Sequence, residues 1–224
     1  MSNIGMLNEK PLHASLKEWY AQPGDQLETA VGRYVIDIVR GDQLLEIQTG
    51  SFASIKPKLK NLLRTNPVRL IYPIALEKWI VKPDSNGGFT RRKSPKRGCI
   101  ENLFDEMIRF PQLIAEQNFS LDVLMIKEEE VRRFDGRRGW RQRGWVIEER
   151  RLLEVTAQKL FKNPADWQAL IPEKLEQFTV KDLAEAAGIS RQLSQKCAYC
   201  LRKAGLIELA GKEGRASLYR RAAG

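Results

Sequence analysis

A chain of 224 residues can bury a substantial core without disulfides or structural metals, and its length suits one large domain or two modest ones. Its 38 Lys+Arg against 28 Asp+Glu leave a formal charge of +10, a surplus that points to a polyanionic partner, nucleic acid first. No apolar run approaches the roughly 20 residues of a spanning helix, no basic amphipathic anchor is present, and the start MSNIGMLNEKPLH lacks the basic-then-apolar order of a secretion signal. A cytoplasmic protein with no membrane partner is expected.

In chain order, LHASLKEWYA carries Leu12, Leu16, Trp19 and Tyr20 at helical spacing, and Pro23-Gly24 ends the run. DQLETAVG is read as a second short helix or turn. RYVIDIV and QLLEIQT are strands, a helix follows near 54–64, and VRLIYPI and EKWIVKP are further strands. Residues 83–98, PDSNGGFTRRKSPKRG, form a mobile basic loop on this reading, followed by a helix around 100–117. LDVLMIKEEEVRRF and WVIEERRLLEV are strands on either side of the glycine-punctuated DGRRGWRQRG, with Glu128, Glu129 and Glu130 expected on a solvated surface. From about 165 the pattern becomes helix, turn, helix and terminal hairpin. The expected fold class is α/β (α+β), divided into a core over 1–82, an extension of that core over 83–164, and a C-terminal unit over 165–224.

Cys99, Cys197 and Cys200 are too few and unevenly spaced for a disulfide framework, and the CxxC lies in a helical pattern where i and i+3 simply share a face. His13 is the sole histidine, which excludes a histidine-rich metal centre; it is expected as a hydrogen-bonded residue of the first helix.

The hairpin DIVRGDQLLEIQ is the most informative segment. Gly41-Asp42 suits a two-residue primed turn, which pairs Val39 with Leu44, Ile38 with Leu45 and Asp37 with Glu46. Alternation then gathers Asp37, Glu46 and Gln48 on one face and Ile36, Ile38, Leu45 and Ile47 on the other, the core face. Two opposed carboxylates repel. A divalent cation would compensate them, since Mg²⁺ is commonly held by one or two carboxylates plus substrate phosphate; surface acids neutralised by Lys or Arg are the alternative.

Asp37, then Glu46-Ile47-Gln48 nine positions on, with Glu28 before and a helix after, resembles the PD-(D/E)xK nuclease core over roughly residues 10–82. The resemblance implies a restriction-endonuclease-like or Holliday-junction-resolvase-like fold and Mg²⁺-dependent phosphodiester hydrolysis, with Mn²⁺ able to substitute. It implies Asp37 and Glu46 as metal ligands and Glu28, on a preceding helical segment, as a third acid. Gln48 departs from the pattern, standing where the superfamily usually has lysine, and a neutral amide can only orient. Lys58 is the candidate for a relocated lysine, because Ile55, Leu59 and Leu62 form the buried stripe beside it; Lys56 and Lys60 are alternatives. The longer run LHASLKEWY…YVIDIV…LLEIQTGSF…VRLIYPI is similar to a bacterial family with a nuclease-like front half and a winged-helix back half. A domain that binds nucleic acid without cutting it is the rival reading.

In the C-terminal unit Thr179 with Asp182 forms a relative of the capping box, with Leu183 and Ala187 facing inward. Ser190 caps a helix over about 190–204 that buries Leu193, Cys197, Cys200 and Leu201. A hairpin turning at Gly211 to Gly214 follows, and the whole of 172–222 resembles a winged helix-turn-helix. That resemblance implies base contacts from Arg191, Gln192 and Gln195 and phosphate contacts from Lys196, Lys212 and Arg215. A protein-binding module is the alternative. Finally, RRFDGRRGWRQRGW interleaves arginine with Trp140 and Trp145. Arg137, Arg138, Trp140 and Arg141 suit single-stranded or distorted DNA, unless the tryptophans pack in an inter-domain core. The expected protein is a Mg²⁺-dependent DNA endonuclease with a second DNA-binding unit, and a homodimer is compatible with cutting both strands.

Overall fold

The computed structural model describes residues 10–138 and 143–222, so Trp140 and Arg141 lie outside the described residues. Helix α1 (Pro11–Tyr20) opens the fold, with Pro11 at its first turn, where a missing N–H costs nothing. Strands β1 (Gln26–Val31), β2 (Tyr34–Arg40) and β3 (Gln43–Ile47) follow as an antiparallel meander. A 3₁₀ turn (Phe52–Ser54) and helix α2 (Lys56–Leu62) then cross over to β4 (Val68–Pro83), which lies parallel to β3. β6 (Phe119–Phe134) is parallel to β4, and β7 (Trp145–Phe161) is antiparallel to β6. The result is a seven-stranded mixed sheet in the order β1-β2-β3-β4-β6-β7, with β5 (Phe89–Lys93) paired to the far end of β4. This is a mixed α/β fold.

The register of the β2–β3 hairpin follows from its turn. Gly41, at φ +60°, takes the left-handed conformation a primed turn requires, and Val39 faces Leu44 while Ile38 faces Leu45. The single core face expected for this hairpin is a correction, because the sheet is covered on both sides. Leu12, Leu16 and Tyr20 of α1 pack with Ile38, Leu45, Ile47 and Ile71 on one face. Ile36 joins the opposite cluster, with Leu44, Phe52, Leu59 and Leu70, so β3 is buried on both faces and carries Glu46 inside.

Four other segments differ from the sequence reading. DQLETAVG is strand β1, since pairing with β2 overrides its weak helical signal. VRLIYPI and EKWIVKP are one 16-residue strand carrying a register shift between Ala75 and Glu77. The basic loop is partly strand β5, hairpinned onto β4. The helix expected over 100–117 is broken into a 3₁₀ turn (Ile100–Leu103), the short α3 (Phe104–Met107) and a 3₁₀ turn beginning at Pro111, whose ring cannot continue a helix.

The C-terminal residues form α4 (Pro164–Gln168), β8 (Gln177–Phe178), α5 (Val180–Ala187), α6 (Arg191–Lys203), β9 (Ile207–Glu213) and β10 (Ala216–Arg221), the strands pairing as β8-β10-β9. Thr179 and Asp182 cap α5 reciprocally, Gly188 ends it at φ +65°, and Ser190 caps α6. Ala184 rather than Ala187 is the buried alanine of α5, and the hairpin turns at Gly214-Arg215, since Glu213 already pairs with Ala216. Leu193, Cys197, Cys200 and Leu201 share one core with Phe104, Met107, Phe110 and Trp167, so the unit is built onto the α2 face of the sheet. The buried Cys200 thiol is pushed up to about 12 by desolvation, which leaves it unreactive.

Candidate active site

β2 and β3 pair from Arg40–Gln43 to Ile38–Leu45, and beyond that Ile36 turns to the opposite cluster from Ile38, so alternation is interrupted at Asp37, whose Oδ2 accepts from the Ile47 N–H at 2.8 Å beside Glu46. Both acids line a cleft of about 600 Å³ whose walls also include His13, Gln48, Thr49, Gly50, Ser54 and Lys58. Glu46 is 3% exposed because β3 lies between β2 and β4 with apolar layers above and below. Burial pushes its carboxyl up to about 7, the Asp37 charge adds to the rise, and Lys58 opposes it. Asp37 behaves oppositely. Burial acts to raise it, but His13 Nε2 at 3.2 Å from Oδ2, the Ile47 N–H donating to Oδ2 at 2.8 Å and the Lys58 charge hold it below its ordinary value. Crowding thus divides the pair into one ionised acid and one that shares its proton with solvent near neutrality.

Lys58 arrives from α2 with the expected stripe, as Ile55, Leu59 and Leu62 are buried. Its Nζ lies 2.5 Å from Glu46 Oε1 as an ion pair and also donates to Val35 O at 2.6 Å, so one ammonium bridges the acid and the β2 backbone. Gln48 points away from the acids. Its amide donates to Ser51 O at 2.8 Å and Ser54 Oγ at 3.0 Å, while Glu106 accepts from Phe52 N at 2.8 Å, and together they pin the loop 48–54 at the cleft wall.

Glu28 is a correction. It stands in register opposite Asp37, but in a strand and at φ +48°, and its carboxylate accepts from Lys17 Nζ at 2.6 Å rather than lining the cleft. His13 takes the place at the acids that was expected for Glu28. Helical phase was its only signal, since 13 and 17 lie on one edge of α1 and both meet acids of the β1–β2 hairpin.

Two carboxylates fit Mg²⁺ better than a closed metal cage. Among the described residues no group of three or more His, Cys, Asp or Glu is arranged to hold a metal. Asp37 and Glu46 are the hard-oxygen donors of this cleft that could hold a divalent cation, with Lys58 Nζ now 2.5 Å from Glu46 Oε1.

The expected surface acids Glu128 and Glu130 are buried, at 0% and 1% exposure, which corrects their sequence reading. Alternation along β6 turns both into a second cleft of about 750 Å³, where Lys78, Arg132 and Arg150 neutralise them. Arg150 also donates to Thr49 O at 2.8 Å, joining this cleft to the wall of the first. No local pattern marks Arg150.

Of the expected DNA contacts, Arg191, Gln192, Gln195, Lys212 and Arg215 are exposed, and Arg191 and Gln195 line a concavity of about 660 Å³ between α6 and β10. Lys196 is instead tied to Asp105 of α3 at 2.7 Å, so it braces the C-terminal unit against the sheet domain. Arg137 and Arg138 are exposed at the β6–β7 tip. Trp145 sits in no inter-domain core; it packs edge-on against Phe134 with Lys82 Nζ 3.9 Å from its ring centroid.

Fold and cleft together define a mixed α/β domain with a half-buried Asp37 and a buried Glu46 opposed by one lysine. The chain belongs to the family described as a domain of unknown function (DUF8091), which matches residues 10–162, from the residue before α1 to the residue after β7. A relative from Treponema pallidum (strain Nichols), named "Uncharacterized protein", is 29% identical over 224 residues, covering 97% of this chain and 87% of the relative. No solved structure matches. Among the described residues no helix is long and apolar enough to cross a membrane.

Proposed function

We propose that the protein is a Mg²⁺-dependent DNA endonuclease whose C-terminal unit is a winged helix that holds duplex DNA. The observation that carries this reading is the meeting of Asp37, Glu46 and Lys58 in one open cleft, from three different elements, with Glu46 buried and Lys58 Nζ 2.5 Å from its Oε1. The order helix, three antiparallel strands, crossover helix and parallel strand supports a restriction-endonuclease-like core. The order α5, short turn, α6 and hairpin, with exposed Arg191 and Gln195 beside β10, supports the winged helix.

Asp37 and Glu46 would hold the ion, which when bound polarises the scissile phosphate and lowers the pKa of water. His13 and the Ile47 amide fix the rotamer of Asp37. Lys58 supplies the positive charge that Gln48 lacks, and Gln48 serves the loop that forms the cleft wall. Water adds to phosphorus and one P–O ester bond breaks, giving a phosphomonoester and a free hydroxyl. With its carboxyl pushed up to about 7, Glu46 would have to give up a proton to hold the ion, so ion affinity would tighten as pH rises through about 7.

One observation favours a DNA-binding regulator without catalysis: Glu28 is committed to Lys17, leaving two acids where the nuclease resemblance implies three. Supercoiled, linear and branched DNA incubated with protein and Mg²⁺ or Mn²⁺ separates the two. The nuclease nicks at least one of them and Glu46→Ala abolishes the nicking, whereas binding without cleavage across all three supports the regulator.

A further inference from the structure

The second cleft is not an isolated feature. A narrow section of about 220 Å³ shares Lys10, Thr49 and Gly50 with the Asp37–Glu46 cleft and Ile147 and Arg150 with the Glu128–Glu130 cleft, so the three form one continuous groove. Its far section is lined by Lys78, Arg92, Lys96, Arg97, Arg132 and Arg150 against Asp105, Glu128 and Glu130, six cations to three acids. The buried acids act as fixed sockets. Glu128 Oε2 accepts from Arg150 Nε at 2.9 Å and Nη2 at 2.6 Å, and Glu130 holds Lys78 at 2.8 Å and also Arg132.

The basic rim is fixed as well. At one end β5 pairs Arg92 with Ile80 of β4; at the other, the Gly98 N–H donates to Ala75 O at 3.1 Å. A Cβ on Gly98 would lie 2.5 Å from that same oxygen, so only glycine lets the segment approach so closely. Arg92, Lys96 and Arg97 are thereby held over the groove on a short, doubly anchored stretch. Cations prepositioned at this density suit successive phosphates of a polyanion.

The narrow section selects which polyanion. It holds about 220 Å³ between sections of about 750 and 600 Å³, and of its wall acids Glu149 pairs with Arg151 at 2.5 Å and Glu148 with Arg133 at 4.0 Å. A constriction of that size has no room for a paired duplex, which leaves an unpaired strand as the polyanion to fit it. We propose that this groove binds an unpaired DNA strand and leads it past Arg150 to the Asp37–Glu46 cleft, so that the substrate class is DNA with a single-stranded segment. The proposal rests on the DNA-hydrolase reading for what happens at the end of the groove, but not for binding within it.

The test is fluorescence anisotropy with full-length protein in EDTA, using a labelled thymidine 20-mer, with an unlabelled 20-bp duplex and a uridine 20-mer as competitors. Arg92→Ala/Lys96→Ala removes two exposed rim charges, and is expected to weaken thymidine 20-mer binding about tenfold and to lower the salt slope by roughly 1.4, at about 0.7 per single-strand phosphate contact. Gly98→Ala leaves the charge unchanged but displaces the rim, and is expected to weaken the same binding. Circular dichroism checks that both variants fold. Lys162→Ala/Lys174→Ala, which removes two exposed cations outside the groove lining, is expected to spare thymidine 20-mer binding. Unchanged affinity in the rim variant, a duplex that competes as well as the single strand, or tight binding by the uridine 20-mer alone would each overturn the proposal. Glu46→Gln separates the two readings: retained single-strand binding with no wild-type nicking on any DNA leaves the groove standing and refutes only the hydrolase.

Discussion

The sheet carries two acid pairs turned into clefts, and they are compensated in opposite ways. Half-buried Asp37 and buried Glu46 line one cleft with a single lysine and a histidine, and Glu46 is pushed up to about 7. Glu128 and Glu130 lie two apart on β6 among Lys78, Arg132 and Arg150. Burial raises Glu130, but Lys78 and Arg132 outweigh it and hold its carboxyl below the ordinary value. The number of cations at hand therefore separates the two sites. Where cations outnumber acids the carboxylates become anchors, and where they fall short a carboxylate keeps an unmet need for positive charge.

The comparison breaks if the two pairs respond alike to neutralisation. The largest contrast is expected in DNA nicking with Mg²⁺, where Glu46→Gln lowers the rate by at least ~100-fold, the scale of losing one preorganised electrostatic group, while Glu130→Gln leaves a measurable rate. Stability gives the next contrast. Glu128→Ala strands Arg150 and Lys78 at the wall of an open cleft and should cost about 3 kcal/mol in urea unfolding, the low end for breaking a buried pair, because both cations reach solvent.

Glu46→Gln should do the reverse and stabilise the fold at pH 8. The Glu46 carboxyl binds its proton more tightly folded than unfolded, so its contribution to stability is greatest below pH 4.5 and falls as pH rises to about 7. A rise from 4.5 to about 7 corresponds to at most ~3 kcal/mol, and the ion pair lost from Lys58 reduces the net gain to about 1–2 kcal/mol. Glu130 has the opposite sign, its contribution being present above its ordinary pKa and lost as pH falls. Thermal midpoints at pH 5 and pH 8 for Glu46→Gln and Glu130→Gln check both signs. The smallest effect concerns Lys58. Because Lys58 lowers the Glu46 carboxyl, Lys58→Met should move the acid limb of the nicking profile to higher pH, and Lys58→Arg should restore it in part.

Much of the first acid pair was legible in the sequence. Gly41 at a primed turn set the pairs Val39–Leu44 and Ile38–Leu45, and the Ile55, Leu59 and Leu62 stripe put Lys58 in one cleft with Asp37 and Glu46, although simple alternation fails at Asp37, where Ile36 and Ile38 part to opposite clusters. These rest on spacing within about twenty residues, where backbone geometry leaves few choices. The second pair was misread for an equally physical reason. A run of three acids is ordinarily solvated, and only the partnership of β6 with β4 and β7 brings Lys78 and Arg150 within reach of Glu128.

By itself, then, the amino-acid order determined the local devices: the hairpin and its acids, the α2 lysine, and the capped helices of the C-terminal unit. Tertiary structure alone decided that His13 reaches Asp37, that Glu28 turns to Lys17, that Lys196 braces two units, and that Arg150 links two clefts into one groove. Each of these joins residues on separate elements, from 11 positions apart for Lys17 and Glu28 to 101 for Arg150 and Thr49. Local propensity cannot encode such meetings, because they exist only once apolar layers on both faces of the sheet have fixed where every strand and helix lies.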